Sequence, residues 1–85
     1  MRIRDLKGLG PKTEAQFQAL GVLDVSQFLA TDPFELYRLL KTNDTSTSLN
    51  ALYAIIGAHQ NKHWQQVARE QKTEILLRLE EMGLV

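Results

Sequence analysis

The sequence predicts an all-α fold, a small bundle of about five helices, on the strength of three observations. Apolar residues recur at helical spacing, most clearly at Leu49, Leu52 and Ile56. Proline and capping residues stand where such windows begin, as in Asp32-Pro33. No segment alternates β-branched or aromatic residues with polar ones, as a half-buried strand would.

The helix ends can be read from local chemistry. Pro11 after Gly10 suits the first turn of a helix that ends at Gly21. Asp32-Pro33 begins another helix, which should end near residues 41–43. The other expected segments are a helix over about residues 25–30 that Asp24 and Gln27 cap, a helix that Thr47 or Ser48 caps, and a last helix over about residues 69–82.

One glycine lies inside an expected helix. Gly57 follows the apolar window that begins at Leu49. Glycine costs a helix interior roughly 1 kcal/mol relative to alanine. We therefore expect a packing reason for Gly57, such as the close approach of another helix.

The composition excludes several classes of protein. Lysine plus arginine and aspartate plus glutamate number ten each, so the formal net charge is zero and the chain is not a strongly basic binder. Cysteine is absent, which excludes disulfides, thiolate nucleophiles and cysteine zinc sites. The longest apolar run, residues 51–58, is far shorter than the ~20 residues that span a bilayer, and residues 1–5 show no secretory signal. We expect one cytoplasmic domain over residues 1–85, with no membrane partner.

The most informative segment covers about residues 3–22. A short helical turn is followed by Gly8-Leu9-Gly10 and then by the helix that Pro11 begins. The two glycines permit positive φ and a close approach of the backbone, while Leu9 between them can reach the core. This apolar-glycine-apolar-glycine pattern leading into a helix resembles the helix-hairpin-helix motif.

The chemistry of such a hairpin is anion binding, because free N–H groups at a helix start point outward and the helix dipole favours negative charge there. Residues 1–22 contain four basic side chains against two acidic ones, whereas the rest of the chain contains six basic and eight acidic ones. The positive region thus coincides with the hairpin, and nucleic-acid phosphate is the expected guest. The candidate phosphate- or DNA-binding residues are Lys7, Gly8, Leu9, Gly10, Lys12 and Thr13, with Arg2 and Arg4 as auxiliary cations.

A second interpretation of the hairpin stays open. A Gly-Leu-Gly turn is also a compact way to pack two helices, so the hairpin could be purely structural or could dock a protein. If phosphate is bound, about two to four contacts would give weak, strongly salt-dependent affinity without sequence readout. A homodimer or a protein partner would then be needed to add contacts.

Several short stretches, in order along the chain, point to one family. They are Leu9-Gly10-Pro11-Lys12-Thr13, Gly21-Val22, Ser48-Leu49-Asn50-Ala51-Leu52-Tyr53-Ala54, Gly57-Ala58, His63-Trp64, and Lys72 with Leu76-Leu77. On these stretches nearly the whole chain resembles the C-terminal domain of the TfoX/Sxy family of bacterial competence regulators. The hairpin alone is common to many folds, whereas the stretch from Ser48 to Ala54 with the later Gly-Ala and His-Trp pairs is much more specific.

The resemblance implies gene regulation and not catalysis. Long members of that family pair an N-terminal α/β domain with this helical domain, and they promote expression of natural-competence (DNA-uptake) genes together with the cyclic-AMP receptor protein. It therefore implies a stand-alone C-terminal domain that acts through a protein partner, either a transcription regulator or a separate N-terminal-type domain. The family offers no catalytic residues, so we expect neither an enzyme nor a cofactor.

The other reactive side chains favour structural roles. His59 and His63 stand four residues apart, but no cysteine and no nearby carboxylate would complete a metal site, so His63 is expected to hydrogen-bond at a helix end. Trp64 is expected to pack into the core. Glu74 and Arg78 are expected to form an i, i+4 ion pair on a solvated helix face. We predict no metal site and no catalytic group.

Overall fold

The computed structural model describes residues 1–84, and no β-strand occurs among them. A short 3₁₀ turn over Ile3–Asp5 precedes five α-helices in this part of the chain, which confirms the expected all-α class. None of these helices has both the length and the apolar character that crossing a membrane requires. The helices are α1 (Pro11–Ala19), α2 (Val25–Ala30), α3 (Pro33–Asn43), α4 (Leu49–Gln60) and α5 (Trp64–Glu81).

Two helix starts follow the capping chemistry that the sequence predicts. At α2, the Asp24 carboxylate accepts the N–H of Gln27 at 2.9 Å, and the Gln27 side chain accepts the N–H of Leu23 at 2.7 Å. At α3, the Asp32 carboxylate accepts the N–H of Phe34 at 2.8 Å. Each side chain satisfies an N–H that has no partner inside its own helix, which is why these two helices begin at the expected residues.

The last helix begins at Trp64 and not near Arg69 as expected. Its N-cap is His63, whose Nδ1 accepts the N–H of Gln65 at 3.2 Å, so the expected role of His63 at a helix end is confirmed. Trp64 is half-buried and packs against the core. Val67 in the next turn is fully buried, which gives the added turns of α5 a packed face.

Helix α4 lies at the centre of the domain, packed against α3 on one side and α5 on the other. Its apolar residues extend more than half-way around the helix, as a helix with neighbours on both sides requires. Phe17 of α1 and Phe28 of α2 belong to the same core, with ring centroids 5.5 Å apart in an edge-to-face arrangement. The largest fully buried side chains are Ile3, Glu14, Phe17, Phe28, Leu36, Leu52, Ile55, Val67 and Leu79.

The turn between α4 and α5 folds back over Gly57. Asn61 takes the left-handed conformation (φ 56°) that commonly ends a helix, and the N–H of Lys62 returns to the carbonyl of Gly57 at 2.8 Å. A Cβ at position 57 would overlap the carbonyl oxygen of Lys62. The expected packing reason for Gly57 is therefore present, but the backbone that approaches most closely belongs to the turn after α4 and not to another helix.

A buried carboxylate ties the N-terminal turn to α1. Glu14 is 2% exposed, although it lies in the first half of a surface helix. Its two oxygens accept the N–H of Arg4 at 3.0 Å, the Nε of Arg4 at 2.9 Å and the Nη2 of Arg2 at 2.9 Å. The N–H of Arg4 is the main reason why the pKa of Glu14 lies below its ordinary value; burial works in the opposite direction, and the guanidinium groups of Arg4 and Arg2 lower the pKa further.

Replacing Gly57 by alanine tests the close approach in the α4–α5 turn. Helix propensity alone would make the variant about 1 kcal/mol more stable. Overlap with the Lys62 carbonyl should outweigh that gain and lower the free energy of unfolding by about 1–3 kcal/mol. Urea denaturation followed by circular dichroism measures the difference. A stabilised Gly57→Ala protein would contradict the described turn.

Replacing Glu14 by glutamine tests the buried ion pairs. Because the folded state lowers the pKa of Glu14, its ionised form stabilises the fold at neutral pH, and this contribution is lost as the pH falls below about 5. We expect Glu14→Gln to melt several degrees below the wild type at pH 7, with a gap that closes towards about pH 3. The exposed control Glu80→Gln should melt like the wild type at both pH values. A gap that is absent at neutral pH, or that widens in acid, would contradict this role.

Candidate nucleic-acid interface

The first part of the candidate site is a tight turn that requires a glycine. The N–H of Leu9 donates to the carbonyl of Leu6 at 3.1 Å, which closes a four-residue turn. Gly8 occupies the third position with φ 82°, a conformation that a type II turn demands there and that other residues rarely adopt. Leu6 and Leu9 pack against the core, whereas Lys7 and Gly8 are exposed. The turn thus presents its middle residues to solvent.

The second part is the start of α1, where the backbone donors have no protein partner. Gly10 is the N-cap, with an extended backbone and no side chain to accept a hydrogen bond. Within residues 1–84, no acceptor lies in hydrogen-bonding geometry with the N–H of Gly10, Lys12 or Thr13. Pro11 has no N–H, so the start of α1 has one backbone donor fewer than other helices. The helix dipole adds positive potential at this end.

The two lysines of the hairpin remain available. Lys7 and Lys12 are exposed, and neither forms an ion pair with any residue among 1–84. Lys12 lies on the side of the hairpin that faces Asp44, since both residues line one groove. The pKa of Asp44 lies below its ordinary value mainly because the Ser46 hydroxyl donates to it at 2.6 Å and the Ser46 N–H at 3.0 Å. Burial opposes both contacts, and the charges of Lys12 and Lys41 lower the pKa further.

The two arginines are engaged by Glu14. Arg4 donates both its N–H and its Nε to that carboxylate, and its side chain is 37% exposed. Arg2 donates one Nη, and with 60% of its side chain exposed it keeps free donors. Arg2 and Arg4 share the Glu14 carboxylate, whose negative charge cancels part of their positive charge. Together they therefore contribute less positive potential than two unpaired arginines would. The arginines therefore act first to hold the hairpin in place.

A groove of about 270 Å³ runs beside the start of α1. Lys12 and Thr13 form one wall, and Asp44 with Ser46 and Thr47 of the loop before α4 forms the other. The Asp44 carboxylate disfavours an anion inside the groove.

The two histidines occupy different surroundings. His59 is half-buried against Phe28, with ring centroids 4.9 Å apart, and its Nε2 is buried without a hydrogen-bond partner among residues 1–84. Burial lowers the pKa of His59. His63, by contrast, caps α5. Across the described residues, no group of three or more histidine, cysteine, aspartate or glutamate side chains is placed to hold a metal ion.

Comparison with known proteins gives one assignment. The family model for the TfoX C-terminal domain matches residues 1–79. No curated protein and no solved structure matches the chain. The matched range contains the hairpin, all of α1 to α4 and most of α5. The chain therefore belongs to the TfoX C-terminal domain family, as the resemblance of its motifs indicates.

Proposed function

We propose that this domain is a non-enzymatic module of competence-type gene regulation, which works through a protein partner and contacts DNA phosphates through its hairpin. Family membership supports the regulatory part of the proposal. The phosphate contact rests on the geometry of residues 7–13. No step of the proposal requires a reaction, a cofactor or a metal.

One observation carries the phosphate contact. The N–H groups of Lys7 and Gly8 in the turn, and of Gly10, Lys12 and Thr13 at the helix start, lack acceptors among residues 1–84. Such donors at a helix start suit a phosphate oxygen, and Lys7 and Lys12, which form no ion pair among residues 1–84, add two positive charges to the same segment. Backbone donors and lysines touch only phosphates, so binding would not depend on base sequence.

The expected affinity is modest. Two lysines, with a partial contribution from Arg2, correspond to about two to three phosphate contacts, so the logarithm of the binding constant should fall with the logarithm of salt with a slope of about −2 to −3. Non-specific binding of this kind has a Kd of about 10⁻⁴ to 10⁻⁶ M at physiological salt. A partner protein or a second domain would have to supply any further affinity.

The second candidate function is protein interaction with a purely structural hairpin. Leu6 and Leu9 pack against the core, and Glu14 binds both arginines next to the hairpin. These contacts alone would explain why the segment contains glycines and basic residues. The two functions differ in a single measurable property, which is the affinity of the isolated chain for DNA.

Fluorescence anisotropy with a labelled duplex at low salt tests the proposal. We expect wild-type binding that weakens with salt, and we expect Lys7→Ala/Lys12→Ala to lower the affinity about tenfold or more and to flatten the salt slope by about 2. Arg69→Ala/Lys72→Ala removes the same charge from the exposed surface of α5 and serves as the matched control. Absence of wild-type binding into the high micromolar range would leave only the protein-interaction function. Equal losses in both double variants would show that net charge, and not the hairpin, attracts DNA.

A further inference from the structure

A second concave surface lies between the start of α3, the end of α4 and the middle of α5. This α5 groove has a volume of about 280 Å³ and an apolar floor made by Phe34, Ile56 and Ile75. Glu74 and Arg78 lie on its α5 side. Its volume is just below the range of small-molecule pockets, so it suits one large apolar side chain of a protein and not a complete ligand.

The cation at this groove is already paired. The sequence predicts an ion pair between Arg78 and Glu74, one turn away, and this prediction is wrong. The Nη2 of Arg78 donates instead to Asp32 at 2.6 Å. Its guanidinium lies 4.4 Å from the ring centroid of Phe34. Glu74 consequently forms no ion pair with any residue among 1–84 and is exposed at the groove edge. Because Asp32 neutralises Arg78 and no cation of the described residues pairs with Glu74, the net charge at the rim is negative.

The exposed face of α5 extends this negative character. Residues 70, 74, 77 and 81 follow the i, i+4, i+7, i+11 spacing of one helix face. Three of them are glutamates, and the fourth, Leu77, is 56% exposed. Among residues 1–84, Glu70 is the one glutamate of the three that forms an ion pair, with the Nζ of Lys62 at 3.5 Å. We call Glu70, Glu74, Leu77 and Glu81 the acidic stripe.

We propose that the α5 groove and the acidic stripe together dock a basic amphipathic segment of a partner protein. An apolar side chain of that segment fills the groove or packs on Leu77, and its lysines or arginines face Glu74 and Glu81. Opposite charge around an apolar anchor is how such surfaces select a partner and exclude others. A symmetric pairing of two copies through this face would oppose like charges, so we assign the surface to a segment of a different protein.

The inference adds a surface and a partner chemistry to the proposed function, and it rests on the protein-partner part of that proposal alone. The acidic stripe and the hairpin belong to different helices and carry charges of opposite sign. DNA takes no part in docking here. The test below uses no nucleic acid, so it can fail while the hairpin binds DNA, and it can succeed while the hairpin does not.

The probe is a fluorescein-labelled synthetic peptide whose leucines line one helix face and whose lysines line the other, compared with the same peptide carrying glutamate in place of lysine. We expect anisotropy to show binding of the lysine peptide and not of the glutamate peptide. Glu74→Arg and Leu77→Asp, both at exposed positions, should each weaken binding about tenfold. Leu23→Asp makes the same change at a leucine that is 61% exposed outside the stripe, and it should bind within about twofold of the wild type.

Amide shifts in a ¹⁵N–¹H spectrum locate the bound peptide. The expected changes concentrate at residues 70–81 and at the side-chain amides of Gln60 and Gln71 on the groove rim. Three results would overturn the inference: equal binding of both peptides, wild-type affinity in both stripe variants, or shifts centred elsewhere. Self-association of the free protein that Leu77→Asp abolishes would assign the surface to a second copy and would overturn the basic partner.

Discussion

The N-terminal part of the domain depends on the buried carboxylate of Glu14. A carboxylate is tolerated in a protein interior only when its charge is compensated and its oxygens are hydrogen-bonded. Arg4 supplies a backbone N–H and a guanidinium, and Arg2 supplies a second guanidinium. These contacts hold the 3₁₀ turn against α1, so the chain between them has to close in a few residues. Gly8 makes that closure possible, and the N–H groups of the hairpin at residues 7, 8, 10, 12 and 13 have no acceptor among residues 1–84.

The same carboxylate shapes the charge of the surface. By engaging the two arginines, Glu14 leaves the two exposed lysines as the free cations of the hairpin. On α5, Arg78 pairs with Asp32 and not with a glutamate of its own helix. Glutamates of α5 therefore remain exposed, and this surface is negative. A chain with zero formal net charge therefore carries one basic and one acidic surface. At each surface, ion pairs neutralise the charges of opposite sign, so that one sign remains exposed. The total composition of the chain reveals neither surface.

Local chemistry in the sequence predicted most of the fold. Asp24 and Asp32 cap their helices as expected because capping involves only neighbouring residues, and the packing reason for Gly57 followed from its cost inside a helix. The start of α5 was missed because its N-cap is a histidine and because Gln65 and Gln66, which follow Trp64, interrupt the apolar pattern. The pairing of Arg78 with a residue 46 positions away depends on how α3 meets α5, and a local i, i+4 rule cannot supply it. The burial of Glu14 had a signal, since it lies three residues before Phe17 on the same helix face. Whether the hairpin binds phosphate stays a prediction.

The most direct measurement is a titration of the ¹⁵N-labelled protein with inorganic phosphate at constant ionic strength, followed through its amide shifts. We expect the amides of Lys7, Gly8, Gly10, Lys12 and Thr13 to move together with one saturation curve in the wild type, and to lose this common response in Glu14→Gln. The start of α4 is the internal control and should respond little: Ser48 is its N-cap, but against expectation the Ser48 side chain makes no capping hydrogen bond. Equal shifts at both helix starts, or a wild-type response in Glu14→Gln, would contradict a hairpin that Glu14 holds open for phosphate.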